Sequence, residues 1–464
     1  MTIDLTKTGI DPFDLIYKQM LNQLQGNILK PHGRDYSSHI ILRFTAEARA
    51  TKEWIQNFAR AQLSSALQQV EEAKSFRETQ QPGQMFVSIF LSASGYEHLG
   101  FDPGKFDEEN DTFRLGMKKR RRVNTFFPNK DPRVEQWEEV YRGSIHALIM
   151  LADDSAEAVR AATESIAASV STVAQILAIE RGYVLRNSEK EPIEHFGYVD
   201  GLSNPRFLKG DLELEERQTW DPSAPLGQVL APDPFNTAPD AFGSYFVFRK
   251  LEQNVHGFNL GIRELSARLR VDEALAGAMV VGRFRDGTPL TLEPQAGLGA
   301  VNDFNYRNDK DALKCPFHAH IRKANQRGET PLTSEESERS RRIARRGVVY
   351  GERAPGLTDE PEGGVGLLFM CYQADIGHQF EFLQRVWFDN PRFPEILSET
   401  GDCPLIGQDG DEPQRWRTKW GDEGGDEDAE RLRINFGDWI RLKGGEYFFA
   451  PSVGFLQNIV ADLP

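Results

Sequence analysis

The stretch "IHALIMLADDSAEAVRAATESIAASV", residues 145–170, reads as a short apolar strand that turns into an amphipathic helix, with apolar residues recurring at three and four positions. The same grammar occurs three more times. "HIILRF" precedes "EARATKEWIQNFARAQ", "GSYFVFRKL" precedes "NLGIRELSARLR", and "GLLFMCYQ" precedes "DIGHQFEFLQRVW". Two of these units fall before residue 190 and two after 240. The arrangement predicts a duplicated split β-α-β fold of the α+β class, two antiparallel sheets with helices packed on one face.

Between the halves, residues 191–242 are rich in Pro, Gly, Asn and Asp and read as a long ordered connection, the kind of loop that carries function. With 464 residues the chain is long enough for two domains with insertions, at about 100–200 residues each. Apolar residues at 39% and charged residues at 27% put it among folded globular proteins and exclude wholesale disorder. A formal charge of −15 opposes nucleic acid and anionic membrane as partners, since both are polyanions. No run approaches the roughly 18 apolar residues that span a bilayer, and the start "MTIDLTKTGIDPFDL" has no signal-peptide core. A cytoplasmic protein is expected. Cys315, Cys371 and Cys403 are too few and scattered for a disulfide framework or a four-cysteine metal site. The basic run "KKRRR", residues 118–122, and the acidic, glycine-rich "GQDGDEPQRWRTKWGDEGGDEDAE", residues 407–430, are expected to be a solvated face and a solvated insertion loop.

Three stretches could carry chemistry. In "FHAHIRKANQR", residues 317–327, His318 and His320 would share a face if the segment were extended and could then bind one zinc. If the segment turns into a helix, one histidine alone points into a given pocket. The cluster Arg322, Lys323 and Arg327 then suits a haem, which needs cations for two propionates as well as an axial nitrogen. Two ordinary histidines remain the plainer reading. In "FGYVDGLSNPRF", residues 196–207, the glycines and "SNP" dictate a tight turn with Asp200 at its tip, which by itself reads as an aspartate capping its own backbone. In "RRIARRGVVYGER", residues 341–353, basic residues precede Gly347 and an apolar run, as a solvated helix end would.

Taken together these stretches resemble the dye-decolorizing peroxidases, haem peroxidases whose signature G-x-x-D-G is matched by Gly197-Tyr198-Val199-Asp200-Gly201. The resemblance extends to "LQGNILKPHGRDYSSHI", "GSYFVFRKLEQNV", "AHIRKANQR", "IARRGVVYG" and "GLLFMCYQAD", which span nearly the whole chain in family order. It is nearest to the longer members without a signal sequence. Gln326 departs from the proline that commonly follows the asparagine there. The resemblance implies two ferredoxin-like domains, 1–190 and 191–464, the second binding one haem b (heme, iron protoporphyrin IX) per chain. It implies His320 as the axial iron ligand with His318 its neighbour, Asp200 as the distal acid-base, and Arg345 as the distal cation, with Arg346 in that place if the register shifts by one. Leu367 and Phe369 would wall the distal pocket, Arg322 would serve the cofactor, Asp375 would accept from the axial imidazole, and Trp387 would relay electrons at the surface. The implied partners are hydrogen peroxide and aromatic or dye reductants, in a monomer or homo-oligomer.

Those residue types fit the reaction. Peroxide loses a proton from one oxygen and the departing oxygen gains one, which a carboxylate can shuttle while a guanidinium stabilises the developing charge. Aspartate titrates near ~3.9 and histidine near ~6.5, so a carboxylate base works in acid and an acidic optimum is expected. The nearest rival is a protein that stores, delivers or senses haem without turnover. It would need His320 but not Asp200 with Arg345. A more distant rival is a haem-free scaffold whose glycine-rich loop binds an anion.

Overall fold

Strands β1 (Tyr36–Phe44), β2 (Phe86–Leu91), β3 (Ala147–Asp153) and β4 (Ala174–Tyr183) form a first antiparallel sheet in the order β2-β3-β1-β4. A second antiparallel sheet runs β8-β5-β7-β6, from β5 (Phe242–Gln253), β6 (Val348–Tyr350), β7 (Gly366–Gln373) and β8 (Ile440–Ala450). The computed structural model describes residues 3–106, 111–120, 129–214, 220–328, 334–394, 399–408, 413–421 and 432–461.

Each seam between the sheets rests on a single residue pair, Leu91 with Phe449 and Tyr183 with Val349, so the eight strands close into a ring. The main core fills that ring. Phe90 of the first sheet stacks on Phe246 of the second at 4.2 Å between ring centroids. Strand alternation turns the other side chains outward. The first sheet is covered by helices α1 (Ala48–Gln62) and α2 (Ala156–Val170), and α2 starts where the Ser155 hydroxyl accepts from the Ala158 N–H. Helices α3 (Val255–Leu269) and α4 (Glu273–Val281) belong to a second apolar cluster, over the second sheet. The side chain of Asn254 caps α3 by accepting from Gly257.

The predicted strand-helix units appear in three cases. After β7 the expected helix shrinks to Phe380–Phe382 and continues as a wider π-type turn, Leu383–Phe388. Side chains there compete with helical bonding. Gln379 accepts from the Ala374 and Asp375 N–H groups, and Asp375 accepts from that of His378.

Two expectations of solvated segments are corrected. Lys118 pairs with Glu446, and buried Arg120 forks onto Glu381, so this part of the basic run is an internal clamp. Arg121 and Arg122 lie outside the described residues. In the acidic loop Trp416 is fully buried and donates to the Ile434 carbonyl, and half-buried Trp420 donates to that of Leu290. The residues at 409–412 and 422–430 lie outside the described ones. No described helix is long and apolar enough to cross a membrane.

Candidate active site

The outer face of the second sheet fronts a large cavity. Arg249, Leu251 and Gln253 on β5 alternate outward beside Phe369 and Leu367 on β7, with Arg249 opposite Phe369 and Leu251 opposite Leu367. Val281 at the end of α4, the helix α5 (His320–Ala324) and the turn at Leu383–Phe388 close the other side.

His320 opens α5 and lines this cavity. Its ring stacks on Phe388 at 5.6 Å, and its Nδ1 lies 3.4 Å from the Cys403 sulfur. Burial, assisted by the Arg345 charge, lowers its pKa to about 4, which leaves the imidazole neutral and able to ligate a metal. No hydrogen bond from a described residue occupies Nε2. His318 points elsewhere, buried edge-on against Trp416 at 4.3 Å. Among the described residues no cluster of three or more His, Cys, Asp or Glu could hold a metal, so the two-histidine zinc alternative finds no ligand set.

The loop that carries Asp200 is a tight hairpin. Gly197 at φ +89° and Gly201 at φ +79° take conformations that side chains disfavour. Inside the hairpin, half-buried Glu194 accepts from the N–H groups of Phe196 and Tyr198 and from Gln253, and desolvation raises its pKa to about 7. Asp200 reaches the cavity with Oδ1 3.4 Å from Nη1 of Arg345 and 2.6 Å from the Gly201 nitrogen. Oδ2 has no partner among the described residues. Arg345 donates to the Leu202 carbonyl, and its own N–H is held by Asn204, so the "SNP" triplet braces acid and cation together. Arg346 turns the opposite way and donates to the carbonyls of Asn27 and Ile28. Alternation along the short strand Ala344–Arg345 explains the split, and the stretch is not a helix end.

Arg322 does not line the cavity. It is fully buried, donates to Asp309 and the Cys315 carbonyl, and lies over the rings of Tyr306 and Phe317. The helical turn of α5 carries it away from His320. Lys323 is likewise spent on the carbonyls of Trp387 and Asn390. Asp375 is corrected too: it pairs with His378 outside the cavity and makes no contact with His320. Trp387 is buried, stacked on Phe393 at 5.0 Å, and lines neither cavity nor surface.

Three arginines do line the cavity without a carboxylate among the described residues in direct contact. Arg283 donates to the Gly287 and Val301 carbonyls and to Asn302, Arg327 to the carbonyls of Asn302 and Phe304 and to Ser203, and Arg342 to those of Asp221 and Trp220. Burial lowers their pKa values to about 10, 9 and 10 respectively, the mark of cations short of counter-charge. A neutral imidazole, apolar walls and uncompensated arginines suit a flat apolar macrocycle with an iron and two carboxylates. The donor set fits haem.

Comparison with known proteins agrees. A 40% identical relative, the multifunctional dye peroxidase DyP2 of Amycolatopsis, aligns over 463 residues, 95% of this chain and 96% of its own. The chain belongs to the dye-decolorizing peroxidases. The family description "Dyp-type peroxidase, C-terminal" matches residues 191–399. The solved structure of the DyP-type peroxidase of Anabaena superposes with a TM-score of 0.91 at 42% identity, over 98% of this chain and 99% of that one. DyP2 itself superposes at 0.89 and 37% identity, over 98% and 100%. The protein is therefore a haem b peroxidase with the ferredoxin-like architecture expected of it.

Sequence reasoning missed several residues of this dye-decolorizing peroxidase site. Arg342 stood in the quoted "RRIARR" stretch, but nothing told it from its neighbours. Arg283, Glu194, Phe388 and Cys403 gave no signal, because each reaches the site through tertiary packing.

Proposed function

We propose that this peroxidase binds its haem through Nε2 of His320, and that Asp200 and Arg345 carry the proton and charge work of peroxide cleavage. The observation that carries the reading is the Asp200–Arg345 pair, 3.4 Å apart in the same cavity as His320. A protein that only stored or delivered haem would have no use for that pair.

When bound, haem supplies the iron that receives peroxide and the two electrons that reduce it. The chain does the rest. Oδ2 of Asp200 takes a proton from one peroxide oxygen and returns it to the other as the O–O bond breaks, while Oδ1 stays anchored by Gly201 and Arg345. The Arg345 guanidinium, fixed by Leu202 and Asn204, stabilises charge on the departing oxygen. Leu367 and Phe369 keep that space apolar and small, which strengthens both effects. Arg327, Arg283 and Arg342 hold the propionates. Reductants are dyes, phenols and other aromatics, and large dyes, excluded from the peroxide-sized space beside Leu367 and Phe369, are oxidised at the surface through Trp387. The relative's name, multifunctional dye peroxidase, supports this class. The formal charge of −15 disfavours nucleic acid and anionic membrane as partners of what we take to be a cytoplasmic protein, monomer or homo-oligomer.

The test is the Soret band of purified variants. His320→Ala is expected to abolish stable haem binding and His318→Ala to keep it. Equal loss in both would overturn the ligand assignment.

A further inference from the structure

A ligand histidine ordinarily donates its outer N–H to a carboxylate, a backbone carbonyl or water, and the strength of that acceptor sets how much electron density reaches the metal. Here the group facing Nδ1 of His320 is the sulfur of Cys403, at 3.4 Å. No described carboxylate bonds that ring. The sulfur is fixed in place: the Cys403 N–H donates to the Phe388 carbonyl at 2.9 Å, the Gly407 N–H donates to the Cys403 carbonyl at 2.9 Å, and Phe388 is the ring on which His320 stacks.

The surroundings of that sulfur supply a second observation. The neighbouring backbone N–H groups of Ile406 and Leu405 and the buried ammonium of Lys323 would favour a negative charge at that sulfur, while burial opposes it. Converging amides and a cation form a niche suited to an anion, yet the position holds a small, neutral side chain, and Cys403 is a free cysteine. A thiol sulfur is a weak acceptor, far weaker than a carboxylate oxygen.

We infer that Cys403 is a positioning residue for the axial imidazole, one whose sulfur orients the ring but draws little on its Nδ1 proton. His320 then stays a plain imidazole ligand, and the ferrous state of the iron is more accessible than a carboxylate in the same niche would allow. This rests on the reading of His320 as the iron ligand.

The experiment uses the haem-loaded protein and two variants. Cys403→Asp puts a carboxylate among the amides that can hold it, and Cys403→Ala removes the acceptor. Two readouts are taken, the ferric/ferrous midpoint potential and the iron–imidazole stretching band of the ferrous protein by resonance Raman. Cys403→Asp is expected to lower the potential and raise the stretching frequency, and Cys403→Ala to shift both the other way. A wild-type protein with no iron–imidazole band would sink the ligand assignment itself. A wild-type band that stays put in Cys403→Ala, together with an unchanged potential, would overturn the role of Cys403 alone. If the aspartate variant fails to retain haem, the alanine variant decides by the same two measurements.

Discussion

The two sheets share a strand order and a helical cover, yet their outer faces differ. Alternation places Ile89, Ile40, Leu42, Ile149 and Leu151 on the outer face of the first sheet, all fully buried under α1 and α2. The corresponding face of the second sheet carries Arg249 and Gln253 among Leu251, Leu367 and Phe369. Aliphatic side chains gain by closing on a helix, so the first layer seals. A guanidinium and an amide demand polar partners instead, and they find them sideways, in Asp131 and Glu194. The helical layer over the second sheet cannot collapse onto such a face. One architecture thus yields a packed half that stabilises and a hollow half that holds a cofactor.

The largest expected effect lies in the hollow half. Asp200→Asn and Arg345→Leu should each slow the stopped-flow reaction with peroxide by about 10²–10⁴-fold, the usual range for a positioned proton-transfer group, with the Soret band retained. Unchanged rates in both would leave the cavity without its chemistry.

Next comes a test of sealing. Ile149→Ala should cost about 2–5 kcal/mol in urea unfolding, because it leaves a void in a closed layer. Leu367→Ala, beside a cavity that already exists, should cost less than half as much. Equal losses would show that the second face is as tightly closed as the first.

The first half should answer pH with one sign and the cavity half with both, because burial also lowers His195 and His320 to about 4 and His318 to about 3. Burial lowers His32 to about 3 and His39 and His146 to about 4, all in the first half. The unfolded chain takes up those protons near pH ~6.5, so stability present above that value is lost as pH falls toward 4. Glu194 at the cavity runs the other way. With its pKa raised to about 7, it binds its proton more tightly when folded and adds stability as pH falls through 7 toward 4.5. The lowered histidines outweigh that one carboxyl, so Tm is expected to drop by several degrees between pH 7 and pH 5. Glu194→Gln should steepen that drop. A wild-type Tm that rises on acidification would break the account.

What could be read from the chain alone follows the same division. Strand and helix periodicities gave the sheets, since apolar alternation is a local signal. Asp200, His320 and Arg345 were legible only through the resemblance of their stretches to the family's motifs, since each stretch alone reads as ordinary, and the structure brings all three to one cavity. Which partner a charge finds was not legible. Arg322 meets Asp309, thirteen residues upstream, and leaves the cavity wall to Arg283 and Arg327. Asp375 is a loop aspartate serving His378, and the group behind His320 comes from Cys403, eighty-three residues on. Trp416 looked exposed from its acidic surroundings, but an edge-on contact with His318 and a hydrogen bond to the Ile434 carbonyl hold it inside.

The smallest expected effect concerns Trp387, where the packed and the functional readings meet in one side chain. It belongs to the helical layer of the hollow half, flanked in sequence by Leu383 and Phe388, which line the cavity. On its other side Phe382 meets it edge-on at 5.7 Å, and half-buried Arg341 covers Phe382 at 3.9 Å. Such a position suits a relay, because an easily oxidised indole lies between the cofactor cavity and the partly exposed rim. It equally suits a core residue, since Phe380, Leu383 and Trp387 are all buried at helical spacing. Trp387→Phe separates the two. Phenylalanine keeps the stack on Phe393, so Tm should move little and the stopped-flow peroxide reaction not at all. Dye turnover should fall several-fold, because removing the indole breaks the route while leaving the proton chemistry of Asp200 and Arg345 intact. Turnover at the wild-type level would return Trp387 to the core and place the route through another aromatic.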